Sequence, residues 1–517
     1  MPSGWEEITL GPFDGGINSY SDVSSIGNNE LVDCINFEVD IDGRLKARPP
    51  IQNVQDFAWS ERIVMVGTFT NASGTYLIGS NSQGVYHSLN GTGAWTLITN
   101  TVATAITVQY NDLLWIIPVP GSGNPGGTWN GAAFVADADI PQGEAARIYK
   151  ERLFIAPGNA ATTNPSRVRF SDPGDFGVWP ASNFIDISKG DGTKLIDLAI
   201  YKGNLLLFKN DSTFVFAYDT APADGIMENV SPVVGATAYN CVIEYENSVF
   251  TYHEGRVYEL INYDFQATNI KVPFFLDQAA PSIRAEEVFL SLVGDRLVFR
   301  YYNRVYVYGL RTRTWTRWES AQINLHNFGP LQLIPSTLLS DANDVYYGGS
   351  SILADANVYK ILDQHDGITL EQFDSVAVDI RCTALTKNYD FDRASRYKRF
   401  FGWGIDCLTN RDVTGTITPV SITFSTTWGD LITGLKTWSD VGTWATPLGS
   451  IPSFTKTILG GGVALRRLLR LPKALRYRQI NFRVEMLTNG TTADGPCQLF
   501  HIIAMVKVKQ LVEKAVN

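Results

Sequence analysis

Apolar positions along the chain fall in short runs bounded by Gly, Asn and Asp. Long stripes at i, i+3, i+4 and i+7, the mark of amphipathic helices, are nearly absent, so the runs read as strands. One unit recurs. Tyr110-Asn-Asp-Leu-Leu-Trp-Ile is followed by Tyr149-Lys-Glu-Arg-Leu-Phe-Ile, Tyr201-Lys-Gly-Asn-Leu-Leu-Leu-Phe and Tyr245-Glu-Asn-Ser-Val-Phe-Thr-Tyr, with a variant at Val293-Gly-Asp-Arg-Leu-Val-Phe. Each copy joins an apolar residue, a polar turn and a buried strand. A second element, a Gly or Asn turn followed by a Val-Tyr strand, recurs at Gly84, Gly255, Asn303 and Asn357. The copies of the first element are 39, 52, 44 and 48 residues apart, close to the ~40–50 residues of a four-stranded propeller blade. Extending the pattern gives seven units starting near 63, 102, 144, 194, 235, 283 and 328. A single blade cannot bury its own faces, so several must stack around an axis. The expectation is a β-propeller of six to eight blades, seven by this count, over residues 61–372.

Beyond about residue 373 the repeat stops and longer alternating strands begin. Ile480, Phe482, Val484 and Met486 share one face while Gln479, Asn481, Arg483 and Glu485 share the other. Such alternation means one core face and one wet face, so residues 373–517 are expected to form an antiparallel β-sandwich. Residues 1–60 read as an N-terminal arm that closes the propeller or reaches a neighbouring subunit. The arm carries a hairpin, Ile35–Ile41, turning at Asp42-Gly43, a strong tight-turn pair.

Composition agrees with an all-β chain. Aromatics make up 12% and charged residues only 18%, which argues against disorder and against a coiled coil. The net charge of −10 argues against a wholly basic nucleic-acid binder. The charge is uneven: residues 1–62 carry 4 Lys or Arg against 11 Asp or Glu, and residues 463–517 carry 10 against 3. Five scattered cysteines (34, 241, 382, 407 and 497), never in C-x-x-C spacing, read as buried thiols of a protein made in a reducing cytosol. The first residues lack a basic segment followed by an apolar one, so no secretory leader is expected. No window approaches the ~18 apolar residues of a membrane span, so membrane insertion is not expected.

Catalytic chemistry is sparse. His87, His253, His326, His365 and His501 have no metal spacing, and neither a G-x-S-x-G elbow nor a phosphate-binding loop occurs. Asp40-Ile-Asp42-Gly43 has a faint likeness to a calcium loop but lacks its third oxygen ligand and closing Glu. A hairpin turn explains it better. Asp172 and Asp175, in Ser-Asp-Pro-Gly-Asp-Phe-Gly-Val-Trp179, resemble a sialidase aspartate box with the wrong spacing, and a structural turn is the expectation. Trp428, Trp438 and Trp444 could stack on sugars, although sandwich packing is the simpler role. No catalytic residue, cofactor or metal is expected.

The most pointed feature is the run Arg466, Arg467, Arg470, Lys473, Arg476, Arg478 and Arg483, which no acid interrupts. It could face DNA phosphates, dock an acidic partner such as the arm of a neighbouring copy, or be a solvated strand face. Basic strands without interleaved exposed aromatics are poor nucleic-acid readers, which favours inter-subunit docking over DNA.

Segment 11–50 runs Gly-Pro-Phe-Asp-Gly-Gly-Ile-Asn, then Asn-Asn-Glu-Leu-Val-Asp-Cys-Ile-Asn-Phe-Glu-Val-Asp, then Asp-Gly-Arg-Leu-Lys-Ala-Arg-Pro-Pro. It resembles the opening of virion proteins of tailed bacteriophages, where a GGxN … ASxxxNxxxD … GxLxxRPG arm precedes a propeller. Ala146-Arg-Ile-Tyr-Lys-Glu-Arg-Leu-Phe, Arg169-Phe-Ser-Asp-Pro-Gly-Asp-Phe and Tyr397-Lys-Arg-Phe look like the same family. The resemblance implies a structural, non-enzymatic tail component: the nozzle or hub of a short tail, or a minor protein at a long tail's tip. It also implies assembly in the host cytoplasm into a ring of copies, a hexamer by analogy. Its neighbours would be an adaptor or fibre protein, with only passive contact with DNA in transit. The family brings no catalytic residues to carry over. A receptor- or carbohydrate-binding role is the alternative, and a propeller glycosidase stands behind it.

Overall fold

The computed structural model describes residues 6–19, 21, 25–55, 64–89, 95–156, 164–188, 190–268, 288–301, 304–320, 328–334, 345–350, 358–362, 370–373, 376–389, 398–408, 413–419, 454–458, 464–477, 480–487 and 498–508. Among them every regular element is a strand, apart from a three-residue 3-10 turn at Pro222–Asp224. It forms a seven-bladed antiparallel propeller joined to a two-sheet β-sandwich. Five blades are separate four-stranded sheets; the sixth and seventh are continued by strands from elsewhere in the chain.

The inner strands run Val64–Asn71, Ala105–Tyr110, Ala145–Tyr149, Leu195–Tyr201, Val242–Tyr245, Val288–Val293 and Phe328–Ile334. Each lies against the next, and the last lies against the first, so the ring is closed. Their starts fall within seven residues of the repeat units read from the sequence. The Tyr-turn element is the hairpin between the first and second strands of a blade. Tyr110 sits opposite Leu113, Tyr149 opposite Arg152, Tyr201 opposite Asn204 and Tyr245 opposite Ser248. The two turn residues adopt positive φ: 47° and 58° at Asn111-Asp112, 45° and 59° at Lys150-Glu151, 49° and 75° at Lys202-Gly203. That conformation matches the right-handed twist of the flanking strands. The second element is the next hairpin of the same blade, with Asn81 opposite Gly84 and His253 opposite Arg256.

Aromatic side chains fill the wedges between blades. Phe69, Tyr76, Trp129 and His87 pack together between the first and second blades. Phe154, Phe170, Phe216 and Tyr218 do so between the third and fourth, and Tyr252, Phe299 and Tyr301 between the fifth and sixth. Fully burying one such side chain contributes roughly 1.5–3 kcal/mol, so the wedges are the main source of blade-to-blade cohesion. An ion pair with one buried member adds to one wedge. Lys209, fully buried, reaches the carbonyl of Ile187 and the carboxylate of Asp191 on the loop that joins the third blade to the fourth.

Residues 1–60 do not stand apart. Glu6–Leu10 pairs with Gln498–Val508, and the hairpin Phe37–Val39/Leu45–Ala47 joins the same sheet, which continues through Lys398–Leu408 to Ala464–Tyr477. Glu30–Ile35 enters the facing sheet, between the outer strand of blade six (Thr314–Trp318) and Arg381–Thr386, with Ile480–Leu487, Val413–Pro419 and Phe454–Ile458 beyond. Ile51–Gln55 is the outer strand of blade seven, antiparallel to Val358–Leu362. The sandwich of 373–517 therefore borrows strands from the far end of the chain. Its core holds Phe37, Leu45, Cys382, Phe482, Met486, Leu499 and Ile502, continuous with the aromatic wedge between blades five and six.

Phe154→Ala is expected to cost about 3–5 kcal/mol in chemical denaturation, as buried aromatic truncations do. Val178→Ala, at a side chain 43% exposed, is expected to change stability by no more than about 0.5 kcal/mol. Equal effects at the two positions would contradict this account of the wedges.

Candidate functional site at the arm, blade six and sandwich

Three bodies meet at Asn36. Its backbone adopts φ 59°, the left-handed region that Asn tolerates better than most residues. Its amide N–H donates to Arg317 O (2.7 Å) in blade six, and its side-chain Nδ2 donates to Arg381 O (2.8 Å) in the sandwich. Asn36 Oδ1 accepts from Arg48 Nε (2.9 Å) and Glu319 N (2.7 Å), while its carbonyl accepts from Arg48 N (2.9 Å) and Cys382 Sγ (3.3 Å). Arg48, 1% exposed, also donates to Pro49 O (2.8 Å) and Glu319 O (3.0 Å) and lies 5.8 Å from the Trp318 ring centroid.

The remaining motif residues brace the arm internally or lie against blade six. Glu30 Oε2 accepts from Asn18 Nδ2 and Gly27 N, both at 2.7 Å, and Asn29 Nδ2 donates to Asp14 Oδ1 (2.6 Å). Gly16 (φ 64°) is so close to blade six that a Cβ there would lie 2.9 Å from Trp315 O. Two ion pairs cross from arm to blade: Arg296 Nε to both Glu38 oxygens (2.8 and 2.9 Å) and Arg317 Nη2 to Asp33 Oδ2 (2.8 Å). Burial pushes the carboxyls of Glu38 and Asp33 up, and the facing guanidiniums oppose that shift. A cleft of about 230 Å³ opens beside them, lined by Lys46, Asp295, Arg311 and the threonines 312, 314 and 316.

The basic run divides. Arg466, Arg467, Arg470, Lys473 and Arg476 lie on Ala464–Tyr477, the last strand of its sheet, with Arg466 registered opposite Asp406 and Arg476 opposite Arg399. The pairing slips between Phe400 and Gly402, opposite the stretch that holds Pro472, an arrangement that lets a strand accept a proline. Arg478 lies outside the described residues. Arg483 sits in the facing sheet, exposed, with Glu485 Oε1 2.7 Å away, so it does not belong to the same edge as the five.

Other candidates resolve as structure. Asp40 Oδ1 accepts from Asp42 N (2.9 Å) and Arg44 N (2.8 Å), closing the hairpin turn. Asp172 accepts from Asn183 Nδ2 (3.0 Å), Asp175 from Gly177 N (3.1 Å), and Trp179 packs against the wedge between blades two and three. Cys34, Cys241 and Cys382 are buried free thiols. His87 and His253 pack between blades, and burial lowers both their pKa values. Trp428, Trp438, Trp444, His326, His365 and Cys497 lie outside the described residues. Among the described residues no group of three His, Cys, Asp or Glu could hold a metal ion.

One cluster escaped the sequence reading. Arg147, Asp197 and Glu244 lie on the inner strands of blades three, four and five. An inner strand is a sheet edge, and its free N–H groups need partners. Glu244 Oε1 accepts from Ile200 N (2.8 Å) on the neighbouring blade and from Arg147 Nε (3.2 Å). Gln109 does the same for the first blade, accepting from Thr70 N (2.9 Å) and donating to Thr70 O (2.7 Å). Asp197 is 4% exposed; burial pushes its carboxyl up to about 6, against the pull of Arg147 and backbone N–H groups. Isolated charged letters in separate repeats carry no mark of this convergence.

No family model matches the chain, and no curated protein matches it. Several solved structures are similar at low identity. PorZ, an essential surface component of the type-IX secretion system of Porphyromonas gingivalis, aligns at TM-score 0.40 and 12% identity over 67% of this chain and 44% of its own. The extracellular domain of a putative hybrid two-component system of B. thetaiotaomicron aligns at 0.40 and 11%, over 62% and 40%. An ancestral GH74 enzyme aligns at 0.39 and 10%, over 61% and 51%. The chain thus spans less than half the length of the first two.

Two outcomes follow from this geometry. Arg48→Met leaves the carbonyls of Pro49 and Glu319 without a buried donor, and each orphaned group costs about 1–3 kcal/mol. Stability should fall by about 3 kcal/mol or more, with amide exchange accelerated first in residues 30–48; unchanged exchange there would contradict the role given to Arg48 at this junction. Asp197 has a folded pKa near 6, above its ordinary 3.8, so the folded state binds that proton more tightly. Its contribution is fully favourable below about pH 4 and is lost as pH rises to 6. The loss is on the order of 2–3 kcal/mol. Asp197→Asn should therefore gain stability relative to the parent between pH 4 and 7; a pH-independent difference would refute the burial argument.

Proposed function

We propose that the chain is a structural component of a bacteriophage tail, a nozzle, hub or tail-tip protein that assembles as a ring along the DNA ejection path. The observation that carries this reading is the use made of the arm motif. Gly16, Asn36 and Arg48, in the segment on which the phage resemblance rests, each make a contact that joins the arm to the sixth blade, and Asn36 also bonds the sandwich, while Asn18 and Glu30 bond each other and Gly27 within the arm. Such a motif suits a part that bears load in a particle. The propeller is a rigid block; the sandwich, with a basic sheet edge, is the part suited to joining copies. The cluster at Arg147, Asp197 and Glu244 supports a non-enzymatic role, since Asp197 is closed off from solvent and Glu244 caps a neighbouring strand.

In particles produced from the genome that encodes this chain, labelled antibody should mark the tail, and the purified protein should form rings under negative stain. A particle lacking the chain would refute the proposal. Strong, selective signals on a glycan array would instead favour the carbohydrate-binding alternative.

A further inference from the structure

Resting on the ring reading, we infer that copies join head to tail through two sheet edges: the basic strand Ala464–Tyr477 of one copy and the acidic outer strand of blade four, Ile226–Ser231, of the next. Among the described residues both strands are terminal in their sheets. Among the described residues Ala464–Tyr477 pairs only with Lys398–Leu408, and Ile226–Ser231 only with Thr213–Ala217. With respect to the described residues each has a row of backbone donors and acceptors on its far side, the template on which a strand of another chain adds.

The charges select the pair. Residues 463–484 hold seven Lys or Arg and no acid; residues 210–231, which end with the outer strand of blade four, hold four acids and no Lys or Arg. On the acidic side Asp219, Asp224 and Glu228 are exposed, and Ile226 stands among them at 67% exposure. In sequence the basic strand sets leucines among its arginines over Ala464–Leu471, a stretch long enough to pair with the six residues of Ile226–Ser231 before Pro472. Lysine and arginine on an edge also prevent that edge from pairing with a copy of itself. Two basic edges repel, so a symmetric dimer through this strand is disfavoured and a heterologous contact remains. Two different patches on each subunit generate a closed ring or an open filament. The arm acids Asp33 and Glu38 are engaged by Arg317 and Arg296 of their own chain, which makes the propeller rim the better acidic partner.

The test is sedimentation of the full-length protein over a range of concentration and salt. Multimers are expected, weakening as salt rises. Asp224→Lys with Glu228→Lys should weaken association roughly tenfold or more, the range of close interfacial charge pairs. Combining these with Arg466→Glu and Arg467→Glu should restore association. If the acid-side variant assembles like the parent, this contact is wrong while the ring stands. If the parent stays a single copy at every concentration in low salt, the ring reading falls with it. Should the basic-side variant fail to fold, the acid-side variant, whose two carboxylates are exposed, decides alone.

Discussion

The architecture depends on satisfying one buried amide. Asn36 has four hydrogen-bonding faces, and they address three separate bodies: arm, sixth blade and sandwich. Because the site is buried, each face needs a partner, and leaving one unmade costs more than making it gains. The geometry is therefore all-or-none. The propeller and sandwich cannot rotate about the junction without breaking several bonds at once, and the Glu38–Arg296 and Asp33–Arg317 pairs lock the same relationship from its flanks.

Much of the propeller was legible in the chain because its signal is local. A tight turn with both residues at positive φ needs a limited set of residue types, and the strand that follows is buried on both faces. Tyr110-Asn-Asp and Tyr201-Lys-Gly thus announce themselves within a few letters. The closing strand Ile51–Gln55 gave no such signal: its partner, Val358–Leu362, lies some three hundred residues away, and pairing at that distance leaves no periodicity to read. For the same reason the arm read only as a segment that closes the propeller or reaches a neighbouring subunit, without its pairings; its described strands belong to two sandwich sheets and a blade.

The candidate site was legible as charge but not as position. The run from Arg466 to Arg483 stands out in composition, yet only the strand order places five of its members on one sheet edge and Arg483 in the facing sheet. The Arg147, Asp197 and Glu244 cluster was invisible because each residue belongs to a different repeat. The arm motif was legible only as a resemblance; its physical reason, Asn36 and Arg48 bonding across bodies while Asn18, Asn29 and Glu30 brace the arm itself, required the contacts themselves. The opposed charges at the two ends of the chain also change in meaning. Part of the acidic excess is neutralised at the junction by arginines of blade six, so complementarity between the chain ends is not free for use between copies.

The strand Ile51–Gln55 has a consequence for how the molecule is made. It leaves the ribosome before any blade exists, and its partners Val358–Leu362 and Leu370–Phe373 are synthesised after the first six blades. Glu6–Leu10 waits longer still, for Gln498–Val508. A growing chain therefore holds its first strands in reserve, with blades one to five able to form behind them while the ring stays open. A product that stops short of blade seven would expose both the unpaired arm and an open propeller flank, the kind of surface that quality-control proteases and chaperones engage. Completion of the ring thus acts as a check on the length of the chain that built it.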